Sequence, residues 1–463
     1  MLKHSDGRSP YLVVKIHPVT DESDVKHPRD DWLPTTESRN GNTYFAAFHI
    51  ISSNMPFQSL MLPLAFATLG WAWGTICLTI AFIWQLYTIF LLIELHESVP
   101  GVRRSRFLFL AVAAFGKRLG MSGVLFPVMY LSGGQCVTFI ITGGLTLKLL
   151  FSTLCENTCN ARPLTGVEWF LIFTCLAILI AQLPNLHAMT PVSFTGGVMV
   201  ISYCTLYWAL SVKDRPEGLT YESSLNHHTS VVPKIGETLN AIGIVFLTFR
   251  GHNVMLEIQG TLPSNLKETS KEPMRRAVVI SYALIAMCVF PLGIAGYWAY
   301  GNKINDGGLI TTFPQFHKEV TKFAMGAMYF LYIIHCLCSY QVYAMPVFDN
   351  LEIRYTSAKN RRCSRLVRAC LRLFFGALTF FIAVTFPFLP KLSTFFGGMT
   401  LIPVTYAYPC FMWIALKKPR PRGAMWWFNV VLGCLGMLIG VLLVATAIWT
   451  LHVKGLHANF YKP

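Results

Sequence analysis

The residues best equipped for chemistry stand in one short run: Phe249, Arg250, Gly251, His252 and Asn253, with Glu257 a turn further on. They fall inside an apolar stretch of membrane-spanning length, Ile235 to Thr261. A single Arg at mid-membrane depth costs roughly 2.5 to 3.5 kcal/mol on insertion scales, so such a cluster reads first as function. A guanidinium keeps its proton at any relevant pH. It can hold a carboxylate in a two-pronged fork or supply a fixed positive charge, but it cannot shuttle protons. Proton traffic needs a titrating group, and the candidates are His252, Glu257, His335 and His49. Gly251 offers the backbone a place to leave the helix. The alternative is a structural Arg250 neutralised by Glu257.

A second interruption lies far upstream, in FHIISSNMPFQSLMLPLAFATLGW. Pro56 and Pro63 each remove a backbone donor and crowd the preceding turn. Ser52, Ser53, Asn54 and Gln58 surround the first of them. Lipid cannot satisfy freed amides and carbonyls, so this stretch must be buried in protein or line a wet cavity. It is either a proline-kinked packing helix or half of a binding site. Two interrupted helices in corresponding positions point to an inverted-repeat transporter with its substrate at the repeat interface. The expected substrate-binding set is therefore Ser52, Ser53, Asn54, Pro56, Phe57 and Gln58 with Phe249, Arg250, Gly251, His252 and Asn253. Exposed amides at a half-helix N-terminus favour a carboxylate, and unwound carbonyls favour an ammonium or a cation. A free amino acid carries both groups.

The elements that position these residues follow from composition and charge. Of the 463 residues, 54% are hydrophobic and 13% charged, which excludes an ordinary soluble protein. Apolar segments recur at about 43–69, 71–95, 121–148, 167–184, 189–212, 236–261, 276–300, 319–346, 366–389, 393–416 and 426–452. The fold class expected is all-α integral membrane, with eleven spans. Residues 1–42 mix acids, bases and prolines without an apolar core and read as a disordered cytoplasmic tail, not a signal peptide. Residues 43–463 form the transporter domain: a first repeat over 43–212, a second over 235–416 and an additional helix over 426–452.

The net charge of +16 does not indicate nucleic acid, because the bases collect in alternate loops. Arg103, Arg104, Arg106, Lys117 and Arg118 form one group, and Lys267, Lys271, Arg275 and Arg276 another. Arg354 to Arg368 and Lys417 to Arg422 continue the alternation. The positive-inside rule then puts the N-terminus in the cytoplasm and the C-terminus outside. Cys155 and Cys159 share an outside loop, where a disulfide and two free thiols are both open readings. No GxxxxGK[ST] phosphate loop, zinc-spaced Cys/His set or GxSxG elbow occurs, so neither an ATP-driven pump nor an enzyme is expected, and no metal or cofactor is called for. A channel has no need of two broken helices.

Several stretches also carry a resemblance. LPLAFATLGWAWG (Leu62 to Gly74), QLYTIFLLIELHESVPG (Gln85 to Gly101), FRGHNVMLEIQGTLPS (Phe249 to Ser264), FPLGIAGYWAYGN (Phe290 to Asn302) and TYAYPCFMW (Thr405 to Trp413) are similar to the amino acid/auxin permeases. Within that family the chain resembles the plant lysine/histidine transporter-like proteins, from about Thr43 onward. The resemblance implies an eleven-span carrier of LeuT-like five-plus-five fold that moves amino acids inward with protons across a membrane, the plasma membrane being expected. Members commonly have small residues of GAG type where this chain has Pro56, Phe57 and Gln58, and a small residue where it has Arg250. Arg250 would repel a cationic side chain at close range, which turns the expectation toward a neutral or acidic amino acid or a related organic acid. The function expected is proton-coupled amino acid symport by alternating access. The alternatives are an auxin-like or other organic-anion carrier and a non-transporting amino acid sensor on the same fold.

Overall fold

A computed structural model describes residues 39–55, 57–99, 102–155, 164–183, 189–213, 215–222, 230–265, 268–317, 319–455 and 460–461. The described secondary structure is helical, and its course is set by where proline, glycine and capping residues fall. Helix α1 (Thr43–Asn54) starts at Asn42, whose side chain accepts a hydrogen bond from Phe45 N at 2.9 Å, a standard N-cap. It ends before Met55, and a short tighter turn (Phe57–Met61) leads into α2 (Leu62–His96). The expected interruption is present at Met55, while Pro56 itself lies outside the described residues. Pro63 does not interrupt a helix, contrary to expectation. It occupies the first turn of α2, where a missing N–H costs nothing. The turn between the first two expected spans falls at Gly70, whose φ of 74° is open to glycine at little cost.

The next expected span, 121–148, is too short. α3 (Phe107–Met129) begins near the basic cluster, turns at Gly116 (φ 81°), and passes through a widened turn at Tyr130–Gly134 into α4 (Gln135–Cys155). Lys117 and Arg118 read as loop residues, yet the glycine before them redirects the helix without ending it. α5 (Gly166–Ala181) is closed at its start by a capping box, with Glu168 accepting from Thr165 N at 2.6 Å. α6 (Thr190–Lys213) completes the first half.

The second interruption divides α7 (Val231–Leu247) from α8 (His252–Gly260). Gly251 stands at the junction with φ 94°, left-handed backbone that any residue with a Cβ adopts only under strain. His252 and Asn253, expected in the break, lie in the first turn of α8. α9 (Lys271–Tyr300) follows, then α10 (Leu309–Phe316), a short helix in what read as a loop. α11 (Lys322–Lys359) has 38 residues and a length of about 57 Å, well beyond the ~30 Å hydrocarbon core. α12 (Arg365–Thr385), α13 (Ser393–Met399), a widened turn at Pro403–Ala407, α14 (Tyr408–Lys417) and α15 (Ala424–Lys454) complete the chain.

Among the described residues nine helical stretches are long and apolar enough to cross a membrane. The 16-residue α5 falls short of that length, and Phe57–His96 counts as one stretch although Gly70 turns it. The core forms where α1 packs against α6, α9 and α11, with α2 and α7 closing one side and α4 the other. Cys155 is disulfide-bonded; Cys159 lies outside the described residues.

Candidate functional site

The two interruptions meet. A Cβ built on Gly251 would lie 2.5 Å from Asn54 Nδ2, so only glycine lets the second break approach the end of α1. The carbonyls that α1 leaves unpaired at its C-terminus are taken up by α11. Ser339 Oγ donates to Ser52 O at 2.6 Å, Tyr343 OH to Ser53 O at 2.7 Å, and His335 Nε2 lies 3.0 Å from Met55 O. Side chains at this end turn back on their own helix: Ser53 Oγ and Asn54 Nδ2 donate to Ile50 O at 3.1 and 2.8 Å. Tyr282 of α9 donates to Asn54 Oδ1 at 2.8 Å and fixes the amide beside Gly251. Ser52 fits because position 196 is glycine; a Cβ there would come within 2.6 Å of Ser52 Oγ.

On the other side of the junction Arg250 is 8% exposed. Its Nε donates to Leu247 O at 3.3 Å, capping the C-terminal end of α7, where a cation is favoured. Its Nη1 donates to the amide oxygen of Gln135. Both acceptors are neutral, and among the described residues no carboxylate pairs with Arg250. The structural alternative, neutralisation by Glu257, is therefore corrected. The left-handed turn at Gly251 sends Arg250 toward α4, while Glu257, about 9 Å further along α8, lies within electrostatic reach of Asp349 and Arg106. Arg106 Nη2 already pairs with Asp349 Oδ2 at 2.9 Å.

Arg250 shares a small cavity with Gln58, Tyr130, Gln135, Ser393 and Thr400. Its open volume is about 20 Å³, enough for one water and too little for an amino acid, so the junction is closed around itself in this conformation. Phe249 is buried, its ring centroid 5.8 Å from that of Phe82, and Phe57 packs half-buried against the core. Asn253 Nδ2 donates to Ser132 Oγ at 3.1 Å, tying α8 to the widened turn before α4.

The titratable candidates separate. His335 lies at the first break. His252 faces α2, its Nε2 3.0 Å from Thr88 Oγ1; that hydroxyl spends its hydrogen on Gln85 O at 2.9 Å, so the imidazole donates. His49 sits six residues before Met55, its Nδ1 2.6 Å from Ser193 Oγ. Glu257 belongs to the ionic group near the basic loops. There Arg103 Nε lies 3.1 Å from Glu97 and donates through Nη2 to Leu262 O at 2.8 Å, while Ser270 Oγ donates to Glu97 at 2.8 Å. Burial alone would raise the Glu97 carboxyl, but His96, Arg103 and Ser270 outweigh it and hold the pKa down to about 2.

Gln135, Ser132, Tyr282 and Tyr343 were not anticipated. SGGQ, residues 132–135, is a polar run inside an apolar span, a signal of the same kind as Arg250, and widened turns often mark functional sites. The tyrosines give no such signal, because tyrosine at helical spacing is ordinary core.

The family model described as transmembrane amino acid transporter protein matches residues 39–451. Lysine histidine transporter-like 8 of Arabidopsis thaliana is 47% identical over 439 residues, which are 94% of this chain and 84% of that protein. A Na+-coupled sialic acid symporter, solved substrate-bound and outward-open, superposes with TM-score 0.54 at 12% identity, covering 93% of this chain and 92% of its own. The manganese transporter of Eremococcus coleocola gives TM-score 0.56 at 13% identity, covering 98% and 93%. At such identities these two speak to the fold alone. The match across nearly the whole chain settles the family: this multi-pass membrane protein belongs to the transmembrane amino acid transporters.

Proposed function

We propose that the chain is a proton-coupled symporter of amino acids, working by alternating access, with the substrate seated where the two interrupted helices meet. The observation that carries this reading is Arg250: a buried guanidinium with, among the described residues, neutral partners only, at the point where Asn54 and Gly251 touch. Burying a charge without a counter-charge is expensive, and a substrate carboxylate supplies the missing one. The carboxylate would displace Gln135 from Arg250 and take both prongs of the fork. The one-water cavity then marks an occluded resting arrangement that opens as the helices move apart.

In this reading the chain has eleven spans, with Gly70 separating the first from the second and α5 serving as a short one. α1–α6 and α7–α14 form the two inverted repeats, and α15 is the addition. Residues 1–42 are a cytoplasmic tail, the C-terminus is outside, and the plasma membrane is the site of action. A second reading, an organic-anion carrier, rests on the same unpaired Arg250, since nothing in the cavity demands an ammonium group.

The test is uptake of a panel of labelled amino acids and organic acids into proteoliposomes with an inward proton gradient, comparing the native protein with Arg250→Ala. Uptake by the native protein and its loss in the variant support the reading. Unchanged uptake by Arg250→Ala removes the carboxylate anchor, uptake of organic acids alone favours the second reading, and binding without accumulation favours a sensor.

A further inference from the structure

We infer that His335 carries the coupling proton, binding it as a staple between the broken end of α1 and α6; this rests on the reading of the chain as a proton-coupled carrier. Its ring is buried, with Nε2 3.0 Å from Met55 O and Nδ1 3.3 Å from Gly196 O. Both partners are carbonyl oxygens, which only accept. A neutral imidazole has one N–H, so either tautomer leaves one carbonyl facing a lone pair. Ser339 Oγ, 3.5 Å from the ring, gives no relief, because its hydrogen goes to Ser52 O at 2.6 Å. Adding a proton converts the repelling pair into a second N–H···O bond. His335 then joins the break at Met55 to α6 through α11.

The other candidates gain less. The His252 Nε2–H already donates to the Thr88 hydroxyl, which serves the neutral ring. His49 Nδ1 faces the Ser193 hydroxyl, which donates or accepts as the ring requires. Glu257 lies near Arg106, whose guanidinium is engaged by Asp349. The Tyr203 ring of α6 lies 5.7 Å from that of His335, and the helix of His335 and those packed against it also carry His49 on α1, Cys136 on α4, Cys204 on α6 and Tyr332, Cys336 and Cys338 on α11. The tyrosines and cysteines of this set are neutral at ordinary pH, which leaves His49 as the one other imidazole among them.

The proton enters from the acidic side together with substrate and settles on the ring nitrogen that held the lone pair. When α1 swings and withdraws Met55 O, one bond is lost and the proton leaves to the other side. The cycle moves one proton per substrate and needs no other reactant.

Two readouts test this in proteoliposomes: accumulation driven by a pH gradient, and exchange of labelled for unlabelled substrate at equal pH. The probes are the twenty standard amino acids, each labelled. With one-proton coupling, one pH unit across the membrane accumulates substrate about tenfold in the native protein. His335→Gln and His335→Asn each keep one donor for one carbonyl. They are expected to retain measurable exchange, unaffected by pH between about 5.5 and 7.5, the interval over which an ordinary imidazole titrates, and to accumulate nothing above the bath. Tenfold accumulation by either variant overturns the inference. Loss of exchange together with accumulation in both variants also overturns it, because His335 is then needed for binding or folding and not for coupling alone. Absence of uptake of every probe by the native protein instead overturns the transport reading itself, and the inference with it.

Discussion

Arg250 and Gly251 are adjacent and carry opposite kinds of cost. Arg250 has a chemical one, a buried positive charge whose only bonds among the described residues are to Leu247 O and Gln135. If that charge awaits a ligand, removing it relieves the resting protein. Arg250→Met is expected to raise stability by about 1 to 3 kcal/mol while abolishing substrate binding, and thermal unfolding in detergent measures the first part. A lower unfolding midpoint would mean that Arg250 holds the fold together. Gly251 stands in left-handed backbone whose conformational cost glycine avoids by lacking a Cβ. Gly251→Ala places a Cβ 2.5 Å from Asn54 Nδ2 in left-handed backbone, which costs about 1 to 2 kcal/mol before the clash is counted. The variant should lose uptake and unfold at lower temperature, and native behaviour in both assays would contradict the close approach of the two breaks. At this scale much was legible from residue type alone: a charge, a glycine and two polar runs inside apolar spans. The partner of Arg250 was not legible. Glu257 stands seven residues on, on the same helical face two turns away, but that shared face assumes a continuous helix, and Gly251 breaks it.

Among the elements, the basic-loop end of the molecule is sewn shut by bonds that belong to no single helix. Arg103 reaches Glu97 and Leu262 O, Ser270 caps Glu97, and Gly41 N donates to Thr261 O at 3.1 Å just beyond α8. Glu97, held at about 2 against an ordinary carboxylate value near 4.5, contributes stability that is complete above about pH 4.5 and is lost as pH falls toward 2. Thermal unfolding between those pH values should show the loss in the native protein and a weaker one in Glu97→Gln; identical profiles would remove Glu97 as its source. The same sign places any pH response of transport near neutrality elsewhere, since this latch is fully ionised there. Element boundaries were legible where a local rule decides them, as at Asn42 and Gly70. They were not where a glycine redirects a helix without ending it, as at Gly116, or where a helix outruns the membrane, as α11 does. Pro63 read as a break because a proline inside an apolar run signals one, yet its place depends on where α2 begins.

For the whole molecule, apolar periodicity and alternating basic loops were enough to place it in a membrane, because each span must satisfy its own backbone and each loop has a charge preference. How the spans pack around α1 was not readable from them, since lipid-facing and protein-facing apolar surfaces have the same composition. Packing decides which polar groups meet, and it brings Asn54, Gly251, Arg250 and Gln135 together while leaving His49 and Glu257 outside the junction. In the proposed function Arg250 recognises a carboxylate at this junction. The most direct measurement of this is calorimetric binding of a transported amino acid and of the amine that lacks only its carboxylate, to the native protein and to Arg250→Ala. The native protein is expected to prefer the amino acid by about 2 kcal/mol or more, the size of a charge-assisted pair, and the preference is expected to disappear in the variant. An equal preference in both proteins would contradict it.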